Sequence, residues 1–201
     1  MPTATATADP KPGAEDAPAQ DFTAVDLRAR ADEVFEKVSP YSGFGFRNHC
    51  RRLHRFATAL LQRHGLHFDE DVAYMIAMWH DLGIVTEQDE GHNYLQRSRA
   101  LFRRESEGLD LGDVDGEIVD ECLLYNHRVL PVPGLSPHAN CFRQAVMIEH
   151  ARGRVRFGLD ETFVERTFED LPRGNFDRVL LDFTYRTIRR EPLTLVRGIF
   201  F

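Results

Sequence analysis

Lysine is nearly absent from this sequence. Lys11 and Lys37 stand alone among 25 basic residues, and all the others are arginine; codon usage explains such a skew before any site does. Cysteine is scarce too. Cys50, Cys122 and Cys141 lie far apart, which excludes a disulfide framework and a cysteine-built zinc site and suits a reducing compartment. No apolar run approaches the roughly 18 residues a transmembrane helix needs, and no basic segment followed by an apolar one marks a secretory signal. A basic excess is also missing. The 32 acidic residues against 25 basic ones give a net charge of −7, which argues against a dedicated nucleic-acid binder. These absences predict a cytoplasmic chain whose partner is neither membrane nor nucleic acid. What remains, 201 residues at 42% hydrophobic and 28% charged, is the composition of one globular domain.

The first 20 residues hold six Ala and four of the ten Pro but no aromatic, Leu, Ile or Val. Such a stretch cannot bury enough apolar surface to offset its ordering entropy, so a disordered leader over 1–20 and a folded domain over 21–201 are expected. The absence of Arg and the presence of Asp9, Glu15 and Asp16 exclude a transit peptide. From Asp21 onward apolar residues recur at helical spacing. Helices are expected over 26–38, from Phe46 to His64, from Phe68 to Trp79, near 91–105 and 113–127, over 139–156 and 161–169, and from Phe176 to Ile188. A loop rich in Gly and aromatics (41–46) and a proline loop (Pro131, Pro133, Pro137) separate some of them. There is no alternating stretch, hairpin signal or fixed-period repeat. The reading is all-α, a single bundle of about seven or eight helices.

His80-Asp81 ends the third expected helix. A chain of this composition carries about one His-Asp pair by chance, and a terminal His beside the negative end of the helix dipole would account for it. The surroundings say more. Asn48-His49-Cys50-Arg51-Arg52 opens the preceding helix, and Asn126-His127-Arg128 closes a later one. Imidazole and carboxylate are ligands that borderline divalent cations take, and ligands from separate helices make a site inside a bundle, where packing fixes their orientation. His54, five residues beyond His49, is rotated about 140° from it around the helix, so a surface or supporting place is expected for it. His64, His67, His92 and His138 read as loop or surface residues. Glu87 reads as a solvated loop acid, with orientation of an attacking water as the alternative.

Longer stretches carry a resemblance. Phe46-Arg47-Asn48-His49-Cys50-Arg51-Arg52-Leu53, Ile76-Ala77-Met78-Trp79-His80-Asp81-Leu82-Gly83-Ile84, Asn93-Tyr94-Leu95, Asn126-His127-Arg128, Phe142-Arg143-Gln144-Ala145 and Arg156-Phe157-Gly158-Leu159 resemble the HD-domain superfamily of metal-dependent phosphohydrolases. More closely, the chain is similar to small uncharacterised bacterial HD-domain proteins over most of residues 41–195. The resemblance implies a single HD-domain bundle. It also implies a divalent metal ion, of unspecified identity, held by His49, His80 and Asp81. One departure stands out: where the family has its last metal-binding Asp, counting without gaps, this chain has Val146. Glu149 and His150, one helical turn on, share the face of Val146 and are the candidate substitutes. The first His of the family's His-His pair is Asn126 here.

The same resemblance places Asp81, His127 and Arg128 in catalytic roles and Arg52 on the substrate side or in support of the site; helical spacing adds Arg152 and Arg156 as candidate substrate-side groups. Arg152 and Arg156 would share a helix face and grip a phosphate between them. The implied activity is hydrolysis of a small phosphorylated substrate through metal-activated water. Two alternatives stay open, because fold alone does not fix a reaction. One is a catalytically silent HD protein that binds a ligand or partner, and the other is a non-phosphatase HD metal enzyme such as a hydratase or oxygenase.

Overall fold

The structure is a computed structural model that describes residues 25–87 and 91–193; the leader expected over 1–20 lies outside them. The described residues form eight α-helices and no strand: α1 Leu27–Val38, α2 Gly45–Arg63, α3 Glu70–Trp79, α4 Tyr94–Glu105, α5 Gly116–Tyr125, α6 Pro137–His150, α7 Glu161–Asp170 and α8 Phe176–Arg190, with a short 3-10 turn, Leu82–Ile84, after α3. The all-α expectation therefore holds. Among the described residues no helix is long and apolar enough to cross a membrane.

Short polar side chains start most of these helices. Asp26, Asp69, Asn93, Asp115, Ser136 and Asp160 each accept from a backbone N–H in the first turn that follows, which satisfies donors that no helical carbonyl can reach. Asn93 and Gln96 complete a reciprocal capping box. Pro137, expected in the proline loop, is instead the first residue of α6, where its missing N–H costs nothing. The same helix stops at His150, six residues short of the expected end. Arg152 and Gly153 turn left-handed (φ 54° and 75°), and the Gly153 N–H returns to the Ile148 carbonyl at 2.9 Å; a glycine in this conformation closes a helix.

Helices α2 and α3 form the centre. Helix α2 packs on α3, α6, α7 and α8, and α3 packs on α1, α4 and α5. Every residue from Val72 to Trp79 is buried, as expected of a helix that is apolar on all sides. Trp79 donates its indole N–H to the Ala31 carbonyl at 3.0 Å, so its one polar atom is satisfied in the core. Two glycines permit the close approaches that shape the site. A Cβ on Gly45 would come within 2.5 Å of the Phe176 nitrogen and of Asn175 Oδ1, and without one the starts of α2 and α8 meet. Asn175 then accepts from the Gly45 N–H at 3.0 Å and donates to the Ser42 carbonyl at 2.9 Å. A Cβ on Gly83 would strike the Tyr94 carbonyl oxygen and the Ser98 nitrogen; its absence lets the turn after His80-Asp81 lie against α4. Glu191, just past α8, pairs with Arg97 at 2.6 Å and accepts from the Tyr94 N–H at 3.0 Å, which ties that end of α8 to the start of α4.

Candidate metal centre

Helix ends converge here. His49 comes from the first turns of α2, His80 follows the last residue of α3 and Asp81 is the next residue, in the turn. His127 lies just past α5, and Glu149 and His150 end α6. The negative dipole ends of α3, α5 and α6 thus supply site residues, an arrangement that favours a cation.

His49, His80 and Asp81 are buried to within 2% of full enclosure. His49 Nε2 is 3.3 Å from His80 Nε2 and 3.6 Å from Asp81 Oδ2, and His80 Nε2 is 3.0 Å from the same oxygen. His80 Nδ1 lies 2.7 Å from the Ala77 carbonyl. A carbonyl only accepts, so the His80 proton sits on Nδ1 and the Nε2 lone pair faces His49 and Asp81. This is how a backbone acceptor orients a metal-binding imidazole. Two imidazole nitrogens and a carboxylate oxygen then meet in one buried place, a donor set that suits a divalent cation. These three residues could hold a metal ion.

Charge is organised around the same point. Burial would raise the Asp81 carboxyl, but the His80 and His127 imidazoles, with the hydrogen bond from His127, hold it well below the usual carboxylate range. Burial pushes the His80 imidazole down. For His49 burial acts in the same direction, yet Glu149 and Asp81 outweigh it and raise the pKa. His127 donates from Nε2 to Asp81 Oδ1 at 2.9 Å, which leaves Oδ2 turned toward the two imidazoles. The His150 ring stands edge-on to His49 and to His127, with centroids 5.8 and 5.6 Å away. Desolvation of the ring, helped by His127 and His49, presses its pKa down to about 3, although the residue reaches solvent.

Of the two candidate substitutes for the ligand missing at Val146, Glu149 is fully buried and answers to other partners. Its Oε1 accepts from Arg52 at 2.5 Å and from Arg173 at 2.7 Å, while Oε2 is 3.0 Å from His49 Nδ1. Ligand atoms of His49, Glu149 and His150 also lie within 4.8 Å of one another, but two arginines already balance the Glu149 charge. Val146 itself is 3% exposed, an apolar residue in the wall.

Of its two expected parts Arg52 takes the supporting one, whereas Arg152 and Arg156 lie elsewhere than expected. Arg52 is fully buried: beyond Glu149 it donates to the Leu171 carbonyl at 2.5 Å, so it supports Glu149 and presents nothing to a substrate. Arg152 and Arg156 lie past the end of α6 and share no helix face. They pair at the surface with Asp177 at 3.0 Å and Glu161 at 2.8 Å, and the phosphate grip expected of them loses its geometric basis. Arg128 stays beside His127, its guanidinium over the Tyr125 ring at 5.8 Å. His54 is 8% exposed, with its ring against Tyr74 at 5.3 Å. It belongs to the packing of α2 on α3, neither on the surface nor at the site. Glu87 is exposed.

Three neighbours escaped the sequence reading. Phe176 stacks on the His49 ring at 4.1 Å and 11°, Tyr94 stands edge-on to His127 at 5.9 Å, and Arg173 closes over Glu149. No periodicity marks Phe176 or Arg173 as site residues; their only signal is the run Arg173-Gly174-Asn175-Phe176, whose small and polar residues break the helical pattern.

The fold and site define an all-α protein with a buried histidine–aspartate group able to hold a metal ion. No known family model matches the chain, and a search among curated proteins finds no match.

Proposed function

We propose that the chain is a metal-dependent hydrolase of the HD type, acting on a small phosphorylated substrate. The observation that carries this is the meeting of His49 Nε2, His80 Nε2 and Asp81 Oδ2 at 3.0–3.6 Å, with the His80 lone pair fixed inward by Ala77. A divalent cation bound there supplies a water of lowered pKa and neutralises phosphoryl charge. The chain's own residues do the rest. Asp81 stays ionised and contributes the one anionic ligand. His127, hydrogen-bonded to Asp81 and 14% exposed, carries a proton between the pocket and solvent. Arg128 keeps a buried Nε without a hydrogen-bond partner among the described residues, a donor suited to an anionic substrate.

A second reading, an HD-like binding module without catalysis, has one observation in its favour. The buried Val146 brings no carboxylate where the family resemblance puts one. Metal analysis of the purified protein beside hydrolysis of a generic phosphate ester separates the two. The hydrolase reading predicts bound divalent metal and turnover, both lost in His80→Ala. Metal without turnover on a broad set of phosphate esters favours the binding module, and neither metal nor turnover removes the hydrolase reading.

A further inference from the structure

On the Nδ1 side of His49 lies a buried charge cluster that hydrolysis does not use. Glu149 Oε1 accepts from Arg52 Nε at 3.2 Å, Arg52 Nη2 at 2.5 Å and Arg173 Nη1 at 2.7 Å. Arg173 Nη1 also reaches the Glu149 carbonyl at 3.2 Å. Three guanidinium donors commit Oε1 as an acceptor and anchor the carboxyl. The other oxygen, Oε2, is 3.0 Å from His49 Nδ1. Both atoms are buried, and neither has an aligned hydrogen bond to any group among the described residues. Phe176, stacked on the imidazole, sets the plane of the ring. The separation of Oε2 and Nδ1 is that of a hydrogen bond once an Nδ1–H and the carboxyl come into line.

His49 has two neutral forms. With the proton on Nε2 it donates toward His80 Nε2, 3.3 Å away, and the ligand group closes on itself. With the proton on Nδ1 it donates to Glu149, and the Nε2 lone pair is free for a cation. An ionised carboxylate accepts and never donates, so one fixed beside Nδ1 favours the second form. We infer that Glu149, locked by Arg52 and Arg173, is a positioning residue that holds His49 as the Nδ1–H tautomer and so makes Nε2 a ligand atom. The inference rests on the metal-site reading, yet the tautomer it names exists with or without a cation.

Glu149→Gln reverses the hydrogen-bond polarity. Arg52 and Arg173 require the amide oxygen at the Oε1 position, which turns the NH2 toward His49 Nδ1. A donor there forces the His49 proton to Nε2. Full-length wild type and Glu149→Gln, both freed of metal by chelator, are compared through long-range proton–nitrogen correlations of their imidazoles. The spectra are taken at alkaline pH, where imidazoles are neutral, and His49→Ala supplies the assignment. Each protein is then titrated with Zn2+ alone. Expected are Nδ1–H for His49 in the wild type, Nε2–H in Glu149→Gln, and Zn2+ affinity about 10–100-fold lower in the variant. A wild-type His49 protonated on Nε2, or one tautomer and one affinity in both proteins, overturns the inference. If Glu149→Gln does not fold, the wild-type tautomer alone decides. A wild type with the Nδ1–H form that takes up no Zn2+ sustains the role of Glu149 on His49 and overturns the metal reading instead.

Discussion

Two imidazole nitrogens facing each other at 3.3 Å both present lone pairs when each ring carries its proton on Nδ1, and a cation between them relieves the repulsion. The nearby residues hold the rings in that arrangement. His80 is fixed by Ala77, Asp81 by His127, and His49 by a stacked phenyl ring and a buried carboxylate. His54 makes a useful contrast, because it is buried without such support. Burial, with Arg28 adding, lowers its pKa, and its Nε2 has no hydrogen-bond partner among the described residues. The sign follows from proton binding. The unfolded chain takes up a proton at about 6.5 and the folded chain only at a lower pH, so His54 adds no proton-linked cost above about 6.5 and lowers stability as pH falls from there toward the folded value. His54→Leu should flatten the acid limb of melting temperature against pH below about 6.5. An unchanged slope would place the acid sensitivity elsewhere.

His49, His80, Asp81 and His127 were singled out in the sequence by the stretches that carry the family resemblance, not by residue type alone, and the structure brings them together. The part Glu149 plays was not. Spacing put it on the face of Val146, but only the fold brings Arg52 and Arg173 to one of its oxygens and so makes it a support for His49.

Among the elements, apolar periodicity made most helices legible to within a few residues. The exception, α6, follows from reading Ala151-Arg152-Gly153 as helix when Gly153 ends it, and the arginine pair beyond inherited that error. The meeting of α2 with α8 was not legible either, since nothing local in Gly43-Phe44-Gly45-Phe46 announces a partner 130 residues away. Gly45→Ala tests that junction. The new methyl would lie 2.5 Å from the Phe176 backbone nitrogen, which a side-chain rotation cannot relieve. We expect a loss of about 1–3 kcal/mol in chemical denaturation, together with weaker metal binding as Phe176 shifts off His49. Wild-type stability in Gly45→Ala would mean that the two helix starts are not tightly apposed.

At the scale of the whole molecule, a central pair of helices carries His49, His80 and Asp81 into the buried interior, and three helix C-termini turn their negative ends toward them. An interior built this way stabilises the folded chain when a cation binds. The measurement that tests this most directly is a thermal-shift titration of the full-length, chelator-treated protein with a divalent cation, beside Asp81→Asn. That variant keeps the shape of the carboxyl group and removes its charge. At a concentration about 100 times Kd the stabilisation is about 2.7 kcal/mol, and at about 2–4 °C per kcal/mol the wild type should gain several degrees while Asp81→Asn stays nearly flat. A wild type that does not respond, or a variant that responds equally, would contradict the metal centre at His49, His80 and Asp81.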